Sequence, residues 1–265
     1  MSQNIIALSD RVILEVKGND ASSFLQRIIT SNIATLESQP LLWTLLLTPQ
    51  GKYLWDLFIY GQENHYMLDV AKQPHENIIK LLHFYALNDD VTITVLPQYQ
   101  VLAQLQTPTN QTISFPDPRT EKLGWRIYTT DHTIQATHND DTYQHARINL
   151  GIPCGIRDLI HKESFPLHYN TAQLHAIDFT KGCFIGQEVT ARMYHKASLK
   201  KSLYRIETLT KHASLTSHSP VTTPENKKVG QTCFCIGNHG LAILDNTIQH
   251  SELLVGNTPI TFVPC

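Results

Sequence analysis

Charge is scarce in this chain of 265 residues: Asp, Glu, Lys and Arg make up 17% of it, with a formal net charge of -2. That balance lacks the basic excess that sequence-independent binding to nucleic acid requires. No apolar run approaches the roughly 20 residues that span a bilayer, so no membrane partner is expected. The opening Met1-Ser2-Gln3-Asn4-Ile5-Ile6 has neither a basic segment leading into an apolar stretch nor an Arg-rich transit composition. These absences point to a cytoplasmic address. Cysteines are few and odd in number, Cys154, Cys183, Cys233, Cys235 and Cys265, which argues against a disulfide scaffold. The 14 histidines are scattered, and no H-E-x-x-H or C-x-x-C gathers ligands for zinc, so no metal is expected. A Walker loop, G-x-G-x-x-G, G-x-S-x-G and internal repeats are absent as well.

A hydrophobic content of 42% supports a substantial core, and the length predicts one large or two to three small domains. Val12–Val16 reads as a strand, and Asp20 as the N-cap of a helix with Ala21, Phe24, Leu25, Ile28 and Ile29 on one side. Leu41–Thr48 and Tyr53–Tyr60 are dense strands joined by the turn Pro49-Gln50-Gly51-Lys52, which predicts a hairpin. Tyr66–Val70 and Val91–Leu96 read as further strands, with a helix over His75–Leu87. Between them and the next clear helix, Tyr143–Leu150, strands at Val101–Ala103 and Trp125–Tyr128 border a Pro-rich polar loop, Thr107 to Thr120. Beyond about residue 199, short strands alternate with Gly and Asn turns and predict a small β-barrel, with Lys211 to Lys227 as an exposed loop. Alternation through Cys233-Phe234-Cys235 places both thiols on one buried strand face.

The chemistry concentrates at Lys181-Gly182-Cys183-Phe184-Ile185-Gly186-Gln187-Glu188. Two glycines allow a sharp bend, and Gln187–Met193 continues as a helix. A thiol near a helix N-terminus, with Lys181 and Arg192 nearby, occupies a setting that favours thiolate. Glu188 is spaced to pair with Arg192. Spacing alone leaves two readings, an activated thiol or a buried inert one.

Those residues, with Ala191-Arg192, resemble the K-G-C-[YF]-x-G-Q-E-x-x-A-R signature of the YgfZ-type folate-binding family, which is related to the aminomethyltransferase of the glycine cleavage system. Further stretches match: Ala146-Arg147-Ile148 through Gly151-Ile152-Pro153; Phe165-Pro166 with Asn170; Gly18-Asn19-Asp20-Ala21 with Phe24-Leu25-Gln26 and Thr30; and Leu47-Thr48-Pro49-Gln50-Gly51-Lys52 with Asp56.

The resemblance implies an α+β cloverleaf of two α/β subdomains, with antiparallel sheets and helices, and a small C-terminal β-barrel. The boundaries read as 1–97 for a folate-binding subdomain, 98–198 for a second subdomain carrying the motif, and 199–265 for the barrel. It also implies a tetrahydrofolate cofactor, with Asp56 facing the pterin and Lys52, Trp55 and His168 around it. Trp43 and Trp55, on facing hairpin strands, are candidates to stack on the ring. Cys183 and Lys181 are expected to carry reactivity, with Gly182, Phe184, Gly186, Gln187, Glu188 and Arg192 as support. His168 stands where the family often has Gln or Glu, and Phe184 replaces the commoner tyrosine. The implied role is an accessory factor for assembly or repair of iron–sulfur proteins, not a stand-alone enzyme, with those proteins or their assembly factors as partners. The alternative is a tetrahydrofolate-dependent one-carbon transferase or tRNA-modification factor. The basic run Arg192–Lys201 reads either as a contact for an anionic partner such as a folate tail or tRNA, or as a solvated linker.

Overall fold

The computed structural model describes residues 4–106, 113–196, 199–248 and 252–265. Residues 107–112 of the Pro-rich loop and 197–198 of the basic run lie outside the described residues. In chain order the first elements are β1 (Ile5–Ala7), β2 (Arg11–Lys17), α1 (Ala21–Ile28), β3 (Leu42–Leu47), β4 (Tyr53–Gln62), β5 (His65–Ala71), α2 (His75–Tyr85) and β6 (Thr92–Leu96). Then follow β7 (Gln100–Gln104), β8 (Ile113–Pro116), β9 (Trp125–Thr129), α3 (Asp140–Asn149), α4 (Gly155–Asp158) and α5 (Gln187–His195). The last six strands are β10 (Lys201–Glu207), β11 (Pro220–Thr222), β12 (Lys228–Ile236), β13 (His239–Asp245), β14 (Leu253–Val255) and β15 (Thr258–Pro264).

A five-stranded antiparallel sheet in the order β3-β4-β5-β2-β6 carries both α1 and α2 on one face. There Phe24, Leu25 and Ile28 of α1 and Ile78 and Leu82 of α2 meet Leu14, Leu46, Trp55 and Leu57. The other face, with Trp43, Leu45, Phe58 and Tyr60, packs on Val101 and Tyr128 of a four-stranded antiparallel sheet, β1-β7-β9-β8. Strands β3 and β4 are therefore covered on both sides, and apart from Thr44 and Asp56 their buried residues are apolar on both faces instead of alternating. The remaining strands close a six-stranded barrel, β10-β13-β12-β11-β14-β15.

Four details depart from the sequence reading. Strand β1 escaped it. Those residues, counted above with 1–97, pair with β7 in the second sheet, Ile5 opposite Gln104. The expected loop Lys211–Lys227 contains β11, whose three residues are too few for a pattern to register. Asp20 occupies the N-cap of α1 but makes no capping bond, because its carboxylate accepts instead from the backbone N–H of Asp90 at 2.8 Å. The two thiols of β12 do not share a core. Thr232 lies opposite Ala242 and Cys235 opposite Gly240, so one extra residue bulges the strand between them. Cys233 consequently enters the central core and Cys235 the barrel interior.

Candidate functional site

The segment from Ala176 to Thr190 is clamped onto the five-stranded sheet. The hydroxyls of Thr30 and Ser31 both donate to the carbonyl of Ala176, at 2.6 and 2.7 Å. The N–H of Asp178 donates to Thr30 O at 3.0 Å, and Gln26 Nε2 donates to Lys181 O at 3.4 Å. Lys181 Nζ donates to Ile29 O at 2.6 Å and to Ser31 O at 2.8 Å. Burial lowers its pKa to about 8, partly offset by Asp178.

Gly186 caps α5 at φ 84°, and a β-carbon there would lie 2.6 Å from Thr48 O and 3.1 Å from Gly51 Cα. The helix start thus rests directly on the β3–β4 turn, a contact only glycine permits. Phe184 and Ile185 reinforce it from opposite cores. Gly182, at φ 97°, bends the chain where a β-carbon would meet nothing within 4 Å.

Cys183 lies between these anchors and is exposed. The other thiols are not available in the same way. Burial raises the pKa of Cys154, raises that of Cys233 much further, and pushes Cys235 and Cys265 up to about 12. Cys265 is exposed as a residue, but its sulfur packs on Gly151.

The cations expected to flank Cys183 are otherwise engaged. Lys181 is clasped by two carbonyls, and Arg192 pairs with Glu188 at 3.1 Å on an exposed surface where such pairs contribute little. Gln187 donates its N–H to Phe184 O at 3.1 Å, closing the bend. Tyr194 stacks on Phe179, centroids 4.1 Å apart.

The residues expected around a folate do not converge on one point. Asp56 is buried, and its carboxylate accepts from Trp43 Nε1 at 3.3 Å, Arg11 Nη1 at 3.4 Å and Tyr53 OH at 3.5 Å. The backbone of Gly155 closes over it, so that a β-carbon there would lie 2.3 Å from Oδ1. A carboxylate so engaged leaves no room for a pterin. Trp55 lies on the opposite face of β4, in the core beneath α1 and α2, so it and Asp56 cannot touch the same ring. Nor do the two tryptophans face each other: Trp43 pairs with Phe58, and Trp55 with Leu46.

His168 and Lys52 do approach one cavity. It has a volume of about 340 Å³ and lies between residues 158–169 and the barrel, with Glu163, Phe165, His168, Lys201 and Lys228 in its lining. Lys52 Nζ sits 3.3 Å from the centroid of the Phe165 ring and donates to Glu163 O at 2.8 Å. Burial, with Lys201 and Lys52 adding to it, lowers the pKa of His168, leaving the imidazole neutral near pH 7. Glu163 and Lys228 carried no local signal and Lys201 only that of the basic run, since the docking of the barrel is what brings the three together. Among the described residues, no group of three His, Cys, Asp or Glu side chains is placed to hold a metal ion. No helix among them is long and apolar enough to cross a membrane.

A model of the GCVT N-terminal domain matches residues 4–113. The human protein "Iron-sulfur cluster assembly factor IBA57, mitochondrial" is 30% identical over 271 residues, covering 89% of this chain and 76% of that protein. The corresponding homolog of Neurospora crassa is 26% identical over 321 residues, covering 97% of this chain and 73% of its own length. Among solved structures, the glycine cleavage system aminomethyltransferase T of Bartonella henselae superposes with a TM-score of 0.76 at 13% identity. That match covers 98% of this chain and 84% of the other, and it shows the fold. The expected cytoplasmic address is corrected here. The relatives that match most of the chain are named as mitochondrial, and the opening residues are no evidence against that. With 30% identity across most of its length, the chain belongs to the GcvT-like family of YgfZ and IBA57 proteins.

Proposed function

We propose that this protein is a folate-binding accessory factor for the assembly or repair of iron–sulfur proteins, and that Cys183 is the thiol it presents to a partner. The observation that carries this reading is the exposure of Cys183 on a loop pinned from both sides, in a chain whose other four thiols are held protonated by burial. The names of the human and Neurospora crassa relatives support the process. One thiolate cannot hold a cluster that takes about four ligands, so the cluster is cargo shared with a partner that supplies the rest. The loop's rigidity serves that sharing, because a fixed sulfur loses little freedom on docking.

A folate suits the 340 Å³ cavity better than it suits Asp56. Glu163 would accept from ring N–H groups, Phe165 would offer an apolar face, and Lys201 and Lys228 would meet the carboxylates of the tail. Neutral His168 would add an uncharged hydrogen bond. Bound tetrahydrofolate would supply a carrier for one-carbon units.

The test replaces Cys183 by Ala in cells that depend on this protein. Iron–sulfur enzyme activity should be lost while the protein stays folded and still binds tetrahydrofolate. Unchanged iron–sulfur activity would remove Cys183 from the function. Separately, Lys201→Glu with Lys228→Glu should weaken tetrahydrofolate binding by about tenfold or more in calorimetry; unchanged affinity would place folate elsewhere.

A further inference from the structure

The β3–β4 turn that supports Gly186 on one side borders a second hollow on the other. This cleft, of about 560 Å³, lies between Thr48–Pro49, helix α2 and the corner at His161–Lys162. Its wall includes Trp55, whose ring is 4.8 Å from that of His161. The Nδ1 of His161 lies 2.9 Å from the carbonyl of Leu54. A carbonyl only accepts, so Nδ1 carries the hydrogen.

Phe84, in its lining, is 69% exposed, and Leu87, just past the end of α2, is 80% exposed. Phe84 leans on Tyr85, centroids 5.3 Å apart. Leu81, Phe84 and Tyr85 together give the cleft an apolar wall of the kind that receives a partner's side chain. The charges are of one sign: Lys80 and Lys162 line the cleft, and no residue lining it is Asp or Glu.

We propose that this cleft docks a protein segment bearing a bulky apolar side chain flanked by carboxylates. The apolar group enters against Trp55 and Phe84, and the carboxylates meet Lys80 and Lys162. A protein fits better than a nucleic acid strand, because only two cations line the cleft and the chain as a whole carries a net charge of -2. A partner seated here would lie beside the Cys183 loop, since Thr48 touches both the cleft and Gly186. The inference goes beyond the proposed function and stands whether or not Cys183 reacts.

The test uses the full chain and a fluorescein-labelled helical peptide carrying Phe and Leu one turn apart, flanked by Glu. Anisotropy should show binding with a Kd of about 100 µM or tighter. Lys80→Glu with Lys162→Glu, and separately Phe84→Ser, should each weaken it by about tenfold. The same substitutions should leave tetrahydrofolate binding unchanged, and Cys183→Ala should leave peptide binding unchanged. No binding of the acidic peptide would overturn the proposal, as would equal binding of its Lys-flanked counterpart or preferential binding of oligouridylate. A dimer in sedimentation that Phe84→Ser dissolves would also overturn it, by giving the cleft to a second copy of the chain.

Discussion

Two regions of this molecule are rich in residues usually associated with chemistry, and they are built in opposite ways. Between the two sheets, Arg11, Arg119 and Arg126 are buried with Asp56, Asp69 and Asp117. Asp69 accepts from Arg11 Nε at 2.6 Å, from Arg126 Nη2 at 2.5 Å and from Tyr128 OH at 3.2 Å. Burial alone would raise its pKa, yet the two arginines outweigh that and hold it below the ordinary carboxylate value. Arg126 also lies 3.8 Å from the centroid of Phe58. Three cations and three anions fill the space with their partners already made. The loop at Cys183 is the reverse: contacts to the end of α1 and to the β3–β4 turn fix it, and its exposed thiol makes no hydrogen bond among the described residues. Perturbed ionisation marks the scaffold here, and accessibility marks the proposed site.

Breaking the buried set should have the largest effect. Asp69→Asn removes the charge that two buried guanidinium groups share, and should cost about 3–5 kcal/mol, read as a drop in the urea midpoint. A loss under 1 kcal/mol would mean that the network is not closed to water. In the loop, Gly186→Ala combines a left-handed backbone with a clash against Thr48 O, and should cost about 2–3 kcal/mol. Faster hydrogen exchange confined to the start of α5 should accompany it.

Lys181 sharpens the contrast through pH. Its folded pKa of about 8 lies below the ordinary 10.5. The unfolded chain therefore holds more protons between those values, and the contribution of Lys181 to stability rises with pH across that window. The stability gap between the native chain and Lys181→Met should widen by about 1–2 kcal/mol from pH 7.5 to pH 10, allowing for solvent screening of a partly exposed group. A gap independent of pH would place the ammonium in water. The smallest effect belongs to Gly182→Ala. It meets strain without a clash, and should cost about 1 kcal/mol. A loss as large as that of Gly186→Ala would show that the two glycines do the same job.

Much of this contrast was legible in the sequence and part of it was not. The hairpin, α1, α2 and the barrel strands other than β11 announce themselves through local pattern, and the bend at Gly182–Gly186 through its glycines. The motif's neighbours could not be read, because they come from residues 26–31, some 150 positions earlier in the chain. Lys181 looked like an activator of the thiol because it is close in sequence, whereas its ammonium follows the carbonyls of Ile29 and Ser31, just past the end of α1. Asp56 looked like a ligand contact because it follows a Gly-Lys turn. Its carboxylate instead faces Arg11 and Trp43, which only the sheet register brings to it. The bulge that separates Cys233 from Cys235 is one unpaired residue, and alternation cannot foresee it.

Cys183 is exposed on a fixed loop, while burial raises the pKa of the other four thiols. Brief treatment of the native protein with iodoacetamide, followed by peptide mapping, measures this directly. Carboxamidomethylation should appear at Cys183 alone, with Cys154, Cys233, Cys235 and Cys265 labelled only after unfolding. An unlabelled Cys183, or labelling of Cys233 or Cys235 at a comparable rate in the folded protein, would contradict it.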